Sequence, residues 1–300
     1  MEKNHIKKLK IAVLGAGGQM AQEFRYLAPS YEYCIFYFFD RKKADISDSQ
    51  SIKNIIDTIK PDYLINCAAY TAVDKAETET KLCYEINTDS CKIITDAIKE
   101  SHTKLVHFST DYVYHIYHGF PLSETDETTP KSTYAKSKLE GEKIIRNAGV
   151  PALILRTSWV ISSFGHNFAK TMMTLGKEKS TLNVVCDQYG APTYARHLAT
   201  SVLDIITLVE AQPEFLPSFN DTYNYANEGI ITWYDIASQI MKEKNLSCTI
   251  RPIPTSGYPT AAVRPQWSVL SKHKIKEKFN LEIPHWYQAL KECLEAIENE

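Results

Sequence analysis

The sequence predicts an α/β fold: a parallel sheet wound by helices on both faces, with a smaller lobe built from the second half of the chain. Three observations carry this. Lys10-Ile-Ala-Val-Leu14 is a nearly unbroken apolar run, as a strand buried on both faces should be, and it leads directly into the cluster Gly15-Ala-Gly-Gly18. Strand-like runs then alternate with segments of helical length through the first half, the pattern of βαβ units with right-handed crossovers. The second strand-like run ends in Asp40, about 20 residues beyond the glycines, the spacing of a dinucleotide-binding turn. These features describe a Rossmann-type doubly wound sheet.

After the first strand, Met20 to Leu27 has the composition of a helix, and Tyr33 to Phe39 is an aromatic-rich strand. Ser51 to Ile59 reads as a helix closed by Pro61, followed by the strand Tyr63 to Asn66. A long helical stretch, Thr80 to Glu100, leads to the strand Lys104 to Phe108. Pro130 opens a helix that carries Tyr134 and Lys138 towards Asn147, and Ala152 to Arg156 is a further strand. Beyond Trp159 the rhythm loosens. Asn167 to Leu175 and His197 to Val209 read as helices, Gln212 to Asn220 as a surface loop, and Thr232 as a helix N-cap. Arg251 to Pro265 is Pro-rich and expected to be irregular, and Ser271 and Pro284 start short terminal helices. Residues 1–160 are thus expected to form an NAD(P)-binding domain, with segments around 181–210 returning to it. Residues 161–300 mainly form the smaller substrate-binding lobe, over the sheet's C-terminal edge.

Composition excludes several classes of function. With 44% hydrophobic and 23% charged residues, the chain can bury a sizeable core. A net charge of -2 provides no field for nucleic acid or an anionic membrane, and the cluster Lys7-Lys8 with Lys10 reads as a solvated arm. No apolar run is long enough to span a bilayer. Seven cysteines without a C-x-x-C spacing imply neither a disulfide framework nor a zinc site, so a cytoplasmic, reducing location is expected.

The glycine turn lets backbone N–H groups approach a pyrophosphate, which the helix N-terminus also favours. Gly15 and Gly18 are followed by Ala21, where small size suffices for helix–strand packing. Asp40 can accept from the ribose 2′-OH of NADH, whereas Arg41, with Lys42 and Lys43, can hold the 2′-phosphate of NADPH, so coenzyme preference stays open between the two. Cys67, Ala68 and Ala69 leave the third strand with small side chains, suited to a backbone passing close to the cofactor. Gln19, Met20, Asp45, Ile46 and Tyr70 are further candidate cofactor contacts, and Tyr134 and Lys138 complete the set, Lys138 being able to bind the nicotinamide ribose.

Tyr134 and Lys138, four residues apart on a helix, share one face. Tyrosine titrates near 10, and bringing it to about 7 requires roughly 4 kcal/mol. An ammonium about 4 Å away supplies roughly that at an effective dielectric near 20. Thr110, ending the fourth strand, is placed to hydrogen-bond a substrate carbonyl for proton transfer.

Motifs across nearly the whole chain resemble the dTDP-4-dehydrorhamnose reductase family of extended short-chain dehydrogenase/reductases. They are Gly15-Ala-Gly-Gly-Gln19, Asn66-Cys-Ala-Ala-Tyr-Thr-Ala-Val-Asp-Lys-Ala-Glu77, Ser109-Thr-Asp-Tyr-Val113, Tyr134-Ala-Lys-Ser-Lys-Leu-Glu-Gly-Glu142, Arg156-Thr-Ser-Trp159, Asn167-Phe168, Asp187-Gln-Tyr-Gly-Ala-Pro-Thr193 and Arg264-Pro265. The resemblance implies reduction of the C4 ketone of a nucleotide-linked 4-keto-6-deoxy sugar, with hydride from NADPH or NADH and a proton from Tyr134, helped by Lys138 and Thr110. It implies that Thr110, Asp111, Trp159 and Asn167 contact the nucleotide sugar and that Arg264 grips its diphosphate. Some members are associated with magnesium, but no residue cluster here locates a metal site. A homodimer is left open. The chain departs from the family at Tyr114-His115-Ile116-Tyr117-His118, at Val160-Ile161-Ser162 and at Ala135, all near the expected pocket, where His115 and His118 are candidate substrate contacts. Two alternatives stay open: a reductase or epimerase of another nucleotide sugar, and a non-catalytic NADP-binding regulatory subunit resembling that of methionine adenosyltransferase.

Overall fold

The computed structural model describes residues 8–117 and 119–299; Lys7 and His118 lie outside them. Strands β1 (Leu9–Leu14), β2 (Cys34–Phe39), β3 (Tyr63–Asn66), β4 (Lys104–Thr110) and β5 (Ala152–Thr157) alternate with helices α1 (Gln19–Leu27), α2 (Ser49–Ile59), α3 (Ser90–Ile98) and α4 (Thr133–Asn147). The second half adds α5 (Phe168–Glu178), β6 (Thr181–Val185), α6 (Ala195–Ala211), β7 (Thr222–Tyr225), α7 (Trp233–Glu243), β8 (Thr249–Ile253) and α8 (Trp286–Glu298). The central sheet runs β7-β5-β4-β3-β1-β2, and every pairing is parallel. This is the doubly wound sheet expected from the sequence.

Each face of the sheet buries its own core. On one side, Ile11, Val13, Ile65, Val106 and Leu153 meet Phe24 of α1 and Leu198, Val202 and Ile206 of α6. On the other, Ala12, Leu14, Leu64, Leu105 and Ile154 meet Ile52 and Ile56 of α2, Ile94 of α3 and Ile145 of α4. Strands covered on both sides need apolar residues at most positions, which is why β1, β3 and β5 carry near-continuous apolar runs. A third core, with Met172, Leu182, Val184, Ile236, Ile240 and Leu290, belongs to the lobe.

Several elements differ from the sequence expectation. Of the segments around 181–210, α6 packs on the sheet whereas β6 pairs with β8 inside the lobe; β7, outside that range, extends the sheet's edge beside β5. β8 lies in the stretch expected to be irregular; its Pro252 sits in an exposed two-stranded pair rather than in a central strand. The long helix after Thr80 carries a π-helical turn at Glu85–Asp89. α4 starts at Thr133 because the Ser132 hydroxyl caps the Ala135 amide (3.2 Å) and Glu77 accepts from the Thr133 amide (2.8 Å). Among the described residues no helix is long and apolar enough to cross a membrane.

Candidate active site

The C-terminal ends of β1, β3 and β4 open onto one side of the sheet, where α/β proteins hold ligands. At the end of β1, Gly15 has φ +75°, and a Cβ there would stand 2.7 Å from the Ala68 backbone nitrogen. Glycine is therefore required at this turn. A Cβ at Gly17 would instead project into open space. α1 begins at Gly18 without a side-chain cap, leaving its first amides available to an anion. A cavity of about 360 Å³ lies here, lined by Gly15, Gly18, Asp40, Arg41, Asp45, Ile46, Cys67, Ala68 and Ala69 among others. These residues fit a dinucleotide's pyrophosphate and adenosine.

Asp40 Oδ1 accepts from the Lys42 and Lys43 amides (both 3.0 Å), which sets the turn that presents Arg41. Arg41 is exposed and, among the described residues, reaches Asp45 at 3.4 Å. Gln19 faces the lobe, where its Oε1 accepts from Asn167 Nδ2 (3.0 Å), and Met20 packs on the sheet core. Tyr70 exchanges hydrogen bonds with the Asn87 side chain and donates to Glu79 (2.7 Å). Asn87 also donates to Ser137 on α4 (3.0 Å), so the π turn ties the Tyr70 segment after β3 to the helix that carries Tyr134.

α4 places Tyr134, Lys138 and Glu142 on one stripe, four residues apart. The Tyr134 ring packs edge-on against Tyr112 (centroids 6.1 Å). Burial pushes its hydroxyl above the ordinary tyrosine range, opposed by a hydrogen bond with Thr110. Lys138 was expected to lower Tyr134. Instead, Lys138 Nζ turns to His107 Nε2 at 3.3 Å, and the charges that act on Tyr134, Asp111 first and then Cys83, push it in the same direction as burial. The reason is packing: Lys138 is 2% exposed, and its side-chain nitrogen is in hydrogen-bond reach of His107 on β4.

Asp111 is 2% exposed. Its Oδ1 accepts from the Thr110 hydroxyl (3.1 Å), while its buried Oδ2 has no partner among the described residues. Ser268, beside it, gives its hydroxyl hydrogen to the Tyr189 carbonyl (3.3 Å). Burial accordingly raises the Asp111 carboxyl to about 7. The unfolded chain releases this proton near 4, so Asp111 is neutral in both states at lower pH and costs stability progressively as pH rises from about 4 to 7. Asp111→Asn is therefore expected to gain roughly 3 kcal/mol over wild type between pH 5 and pH 8. A melting-temperature difference that does not grow over that range would refute the assignment.

Arg264 grips Asp74 bidentately (2.6 and 3.1 Å), joining the lobe to the segment after β3. It stands between two cavities. The larger, about 730 Å³, is lined by Phe168, Trp233, Lys179, Arg251, Tyr258 and Arg264 among others, and the smaller, about 290 Å³, by His115, Tyr117, Arg264 and Trp267 among others. Trp159, in the left-handed region at φ 46°, stacks on Trp233 at 3.8 Å, and it is Trp233 that lines the larger cavity. Asn167 caps α5 and donates to the Ser162 carbonyl (2.7 Å) as well as to Gln19, so its polar atoms clasp lobe to sheet. Sequence reasoning missed Trp233, Lys179 and Arg251, which carry no motif, and the roles of Asp74 and Glu77 inside a quoted motif. Among the described residues no three His, Cys, Asp or Glu side chains gather where they could hold a metal.

A doubly wound parallel sheet with a glycine turn, an acid at the end of β2 and a Tyr-x-x-x-Lys helix beside a β4 hydroxyl defines an extended short-chain dehydrogenase/reductase. The family profile described as "RmlD substrate binding domain" matches residues 9–299. The chain is 37% identical to dTDP-4-dehydrorhamnose reductase of Salmonella typhimurium over 303 residues, covering 95% of this chain and 97% of that protein. A solved structure of the dTDP-4-dehydrorhamnose reductase from Clostridium acetobutylicum superposes with a TM-score of 0.90 at 32% identity, covering 97% of this chain and all of the other. That from Bacillus anthracis, in complex with NADP, gives 0.87 at 31% identity, covering 96% and 99%. The chain belongs to the dTDP-4-dehydrorhamnose reductase family.

Proposed function

We propose that the protein reduces the C4 ketone of a nucleotide-linked 4-keto-6-deoxy sugar, dTDP-4-dehydro-L-rhamnose to dTDP-L-rhamnose, using NADPH. The observation that carries this reading is the placement of Thr110 and Tyr134 at the sheet edge that also holds the dinucleotide cavity, with a large cavity lined by Lys179, Arg251 and Arg264 in the lobe. Bound NADPH supplies the hydride. Thr110 and Tyr134 orient the ketone oxygen through their hydroxyls, and Tyr134, kept protonated by its buried setting, donates the proton that the reduced oxygen needs. Arg251, Lys179 and Arg264 suit a diphosphate, and Trp233 offers a flat apolar wall to a base or sugar ring. A cytoplasmic enzyme fits seven free cysteines.

The test is NADPH oxidation with enzymatically generated dTDP-4-dehydro-L-rhamnose as acceptor; no turnover with that sugar rejects the reading. The cavity lined by His115 and Tyr117, where the chain departs from the family pattern, favours a second reading, another nucleotide-linked 4-keto sugar, assayed in parallel. Coenzyme choice rests on Arg41. Arg41→Ala is expected to raise the KM for NADPH about tenfold, equivalent to about 1.4 kcal/mol, with little change for NADH. Equal effects on both coenzymes would remove Arg41 from 2′-phosphate recognition.

A further inference from the structure

Two polar side chains lie on strands buried on both faces, Asn66 at the end of β3 and His107 on β4, both 2% exposed. Together with Lys138 they form a chain of hydrogen bonds whose polarity can be worked out from its fixed end. The Ala68 backbone N–H can only donate, and it donates to Asn66 Oδ1 (3.1 Å). That fixes the Asn66 amide, so Nδ2–H₂ faces His107 Nδ1 at 3.2 Å. His107 Nδ1 must therefore accept, and a neutral imidazole that accepts at Nδ1 carries its hydrogen on Nε2. Nε2–H points at Lys138 Nζ, 3.3 Å away. An N–H can donate to a lysine nitrogen only through a lone pair, which the ammonium lacks.

We propose that Asn66 and His107 are positioning residues that hold Lys138 as an uncharged amine in the ligand-free enzyme, so that the charge on Lys138 appears only when it leaves His107. This inference rests on the reductase reading for its purpose, but not for its geometry. An imidazolium is excluded as the alternative donor, because a hydrogen on Nδ1 would face the Asn66 Nδ2–H₂ donor and because burial holds His107 well below its usual proton affinity. Burial likewise lowers Lys138, while Cys83, Cys91 from α3 and Glu142 from its own helix act in the opposite direction. Glu142 is occupied by Arg156 and Ser109, and Cys83 by Ser137 and Asn87, so neither gives Lys138 a direct partner.

Lys138 can move off His107 to a ribose hydroxyl, where an ammonium has acceptors and Nε2–H does not compete. Taking up a proton at that moment couples dinucleotide binding to the charging of Lys138, beside the tyrosine that must give up its own proton.

The experiment uses the ligand-free full chain labelled with ¹⁵N at histidine and lysine. Wild type is expected to show His107 protonated at Nε2 and a Lys138 Nζ that titrates below the other lysines. Asn66→Asp, nearly isosteric, accepts from both the Ala68 amide and the imidazole, so it should move the His107 hydrogen to Nδ1 and make Nε2 an acceptor for the Lys138 ammonium. Calorimetry with NADP+ in buffers of different ionisation enthalpy should then show proton uptake by wild type and a smaller uptake by Asn66→Asp. A wild-type His107 protonated at Nδ1, or a tautomer unchanged by Asn66→Asp in a folded protein, overturns the proposal. His107→Gln, whose amide oxygen can accept from Lys138, is the second variant and should raise the Lys138 titration; no rise overturns it as well. Neither readout uses sugar turnover, so failure of the reductase reading would leave them standing and is seen separately.

Discussion

Tyr134→Phe is expected to lower turnover at least about a hundredfold while leaving NADP+ binding intact, the usual consequence of removing a general acid. The substitution deletes one oxygen. The ring keeps its edge-on contact with Tyr112 and its packing beside Tyr70, Ala76 and Cys83. α4 keeps its Ser132 cap and the Glu77 contact, so Lys138 and Glu142 stay in register. What is lost is the hydrogen bond with Thr110 and the only hydroxyl on the catalytic stripe of α4. Because burial raises that hydroxyl, it is fully protonated throughout the neutral range, and the loss should appear in kcat rather than in the KM for the sugar. Steady-state NADPH oxidation, with NADP+ affinity measured in parallel, decides it. Near-normal turnover would take Tyr134 out of the chemistry.

The sheet was legible from the sequence because its physics is local. A strand covered on both faces is mostly apolar, and β1, β3 and β5 carry the runs Ile11 to Leu14, Tyr63 to Ile65 and Ala152 to Leu155; the turn at Gly15 needs a positive φ, and the glycine announces it. The π turn at Glu85–Asp89 was not legible, since a single extra residue leaves a helical pattern looking continuous. β8 was hidden by Pro252, tolerated only because that strand lies in an exposed pair. In the site, the Tyr134 and Lys138 spacing reads directly, but the direction in which Lys138 points depends on His107 across the sheet. The pairing of Asp74 with Arg264, 190 positions apart, is beyond any spacing argument. A usable signal was overlooked in Asn66 and His107: a polar side chain inside an apolar strand has to find a partner, and here the partners are catalytic neighbours.

Arg156→Met is expected to cost about 3–5 kcal/mol, the largest stability effect among single changes near the site, because it leaves the Glu142 carboxylate buried without its cation. Arg156 on β5 and Glu142 on α4 are 6% and 3% exposed. Their contact is bidentate, with Nη2 donating to Oε2 at 2.7 Å and Nε to Oε1 at 3.0 Å, and Nη1 donates to the Tyr114 hydroxyl at 2.6 Å. Burial works to lower the Arg156 guanidinium, yet the Glu142 contact overcomes it and holds the proton more firmly than usual. Glu142 also accepts from the Ser109 hydroxyl at 2.5 Å, so the carboxylate is tied to the residue before Thr110. The cost of the single change is chiefly that of the stranded carboxylate, which a double-mutant cycle separates from the worth of the pair. Arg156→Met with Glu142→Leu removes both charges and should recover most of the lost stability, since a buried ion pair is often no better than a well-packed apolar one. Turnover need not recover with it: without Glu142, Ser109 loses its partner, and the alignment of β4 with α4 that brings Thr110 to Tyr134 is left to packing and the Lys138–His107 contact. A double variant with restored melting temperature and depressed kcat would show that the pair is kept for registering the catalytic helix on the sheet. Restoration of both would make it an ordinary structural contact, and a single Arg156→Met loss below about 1 kcal/mol would mean that solvent reaches Glu142 after all.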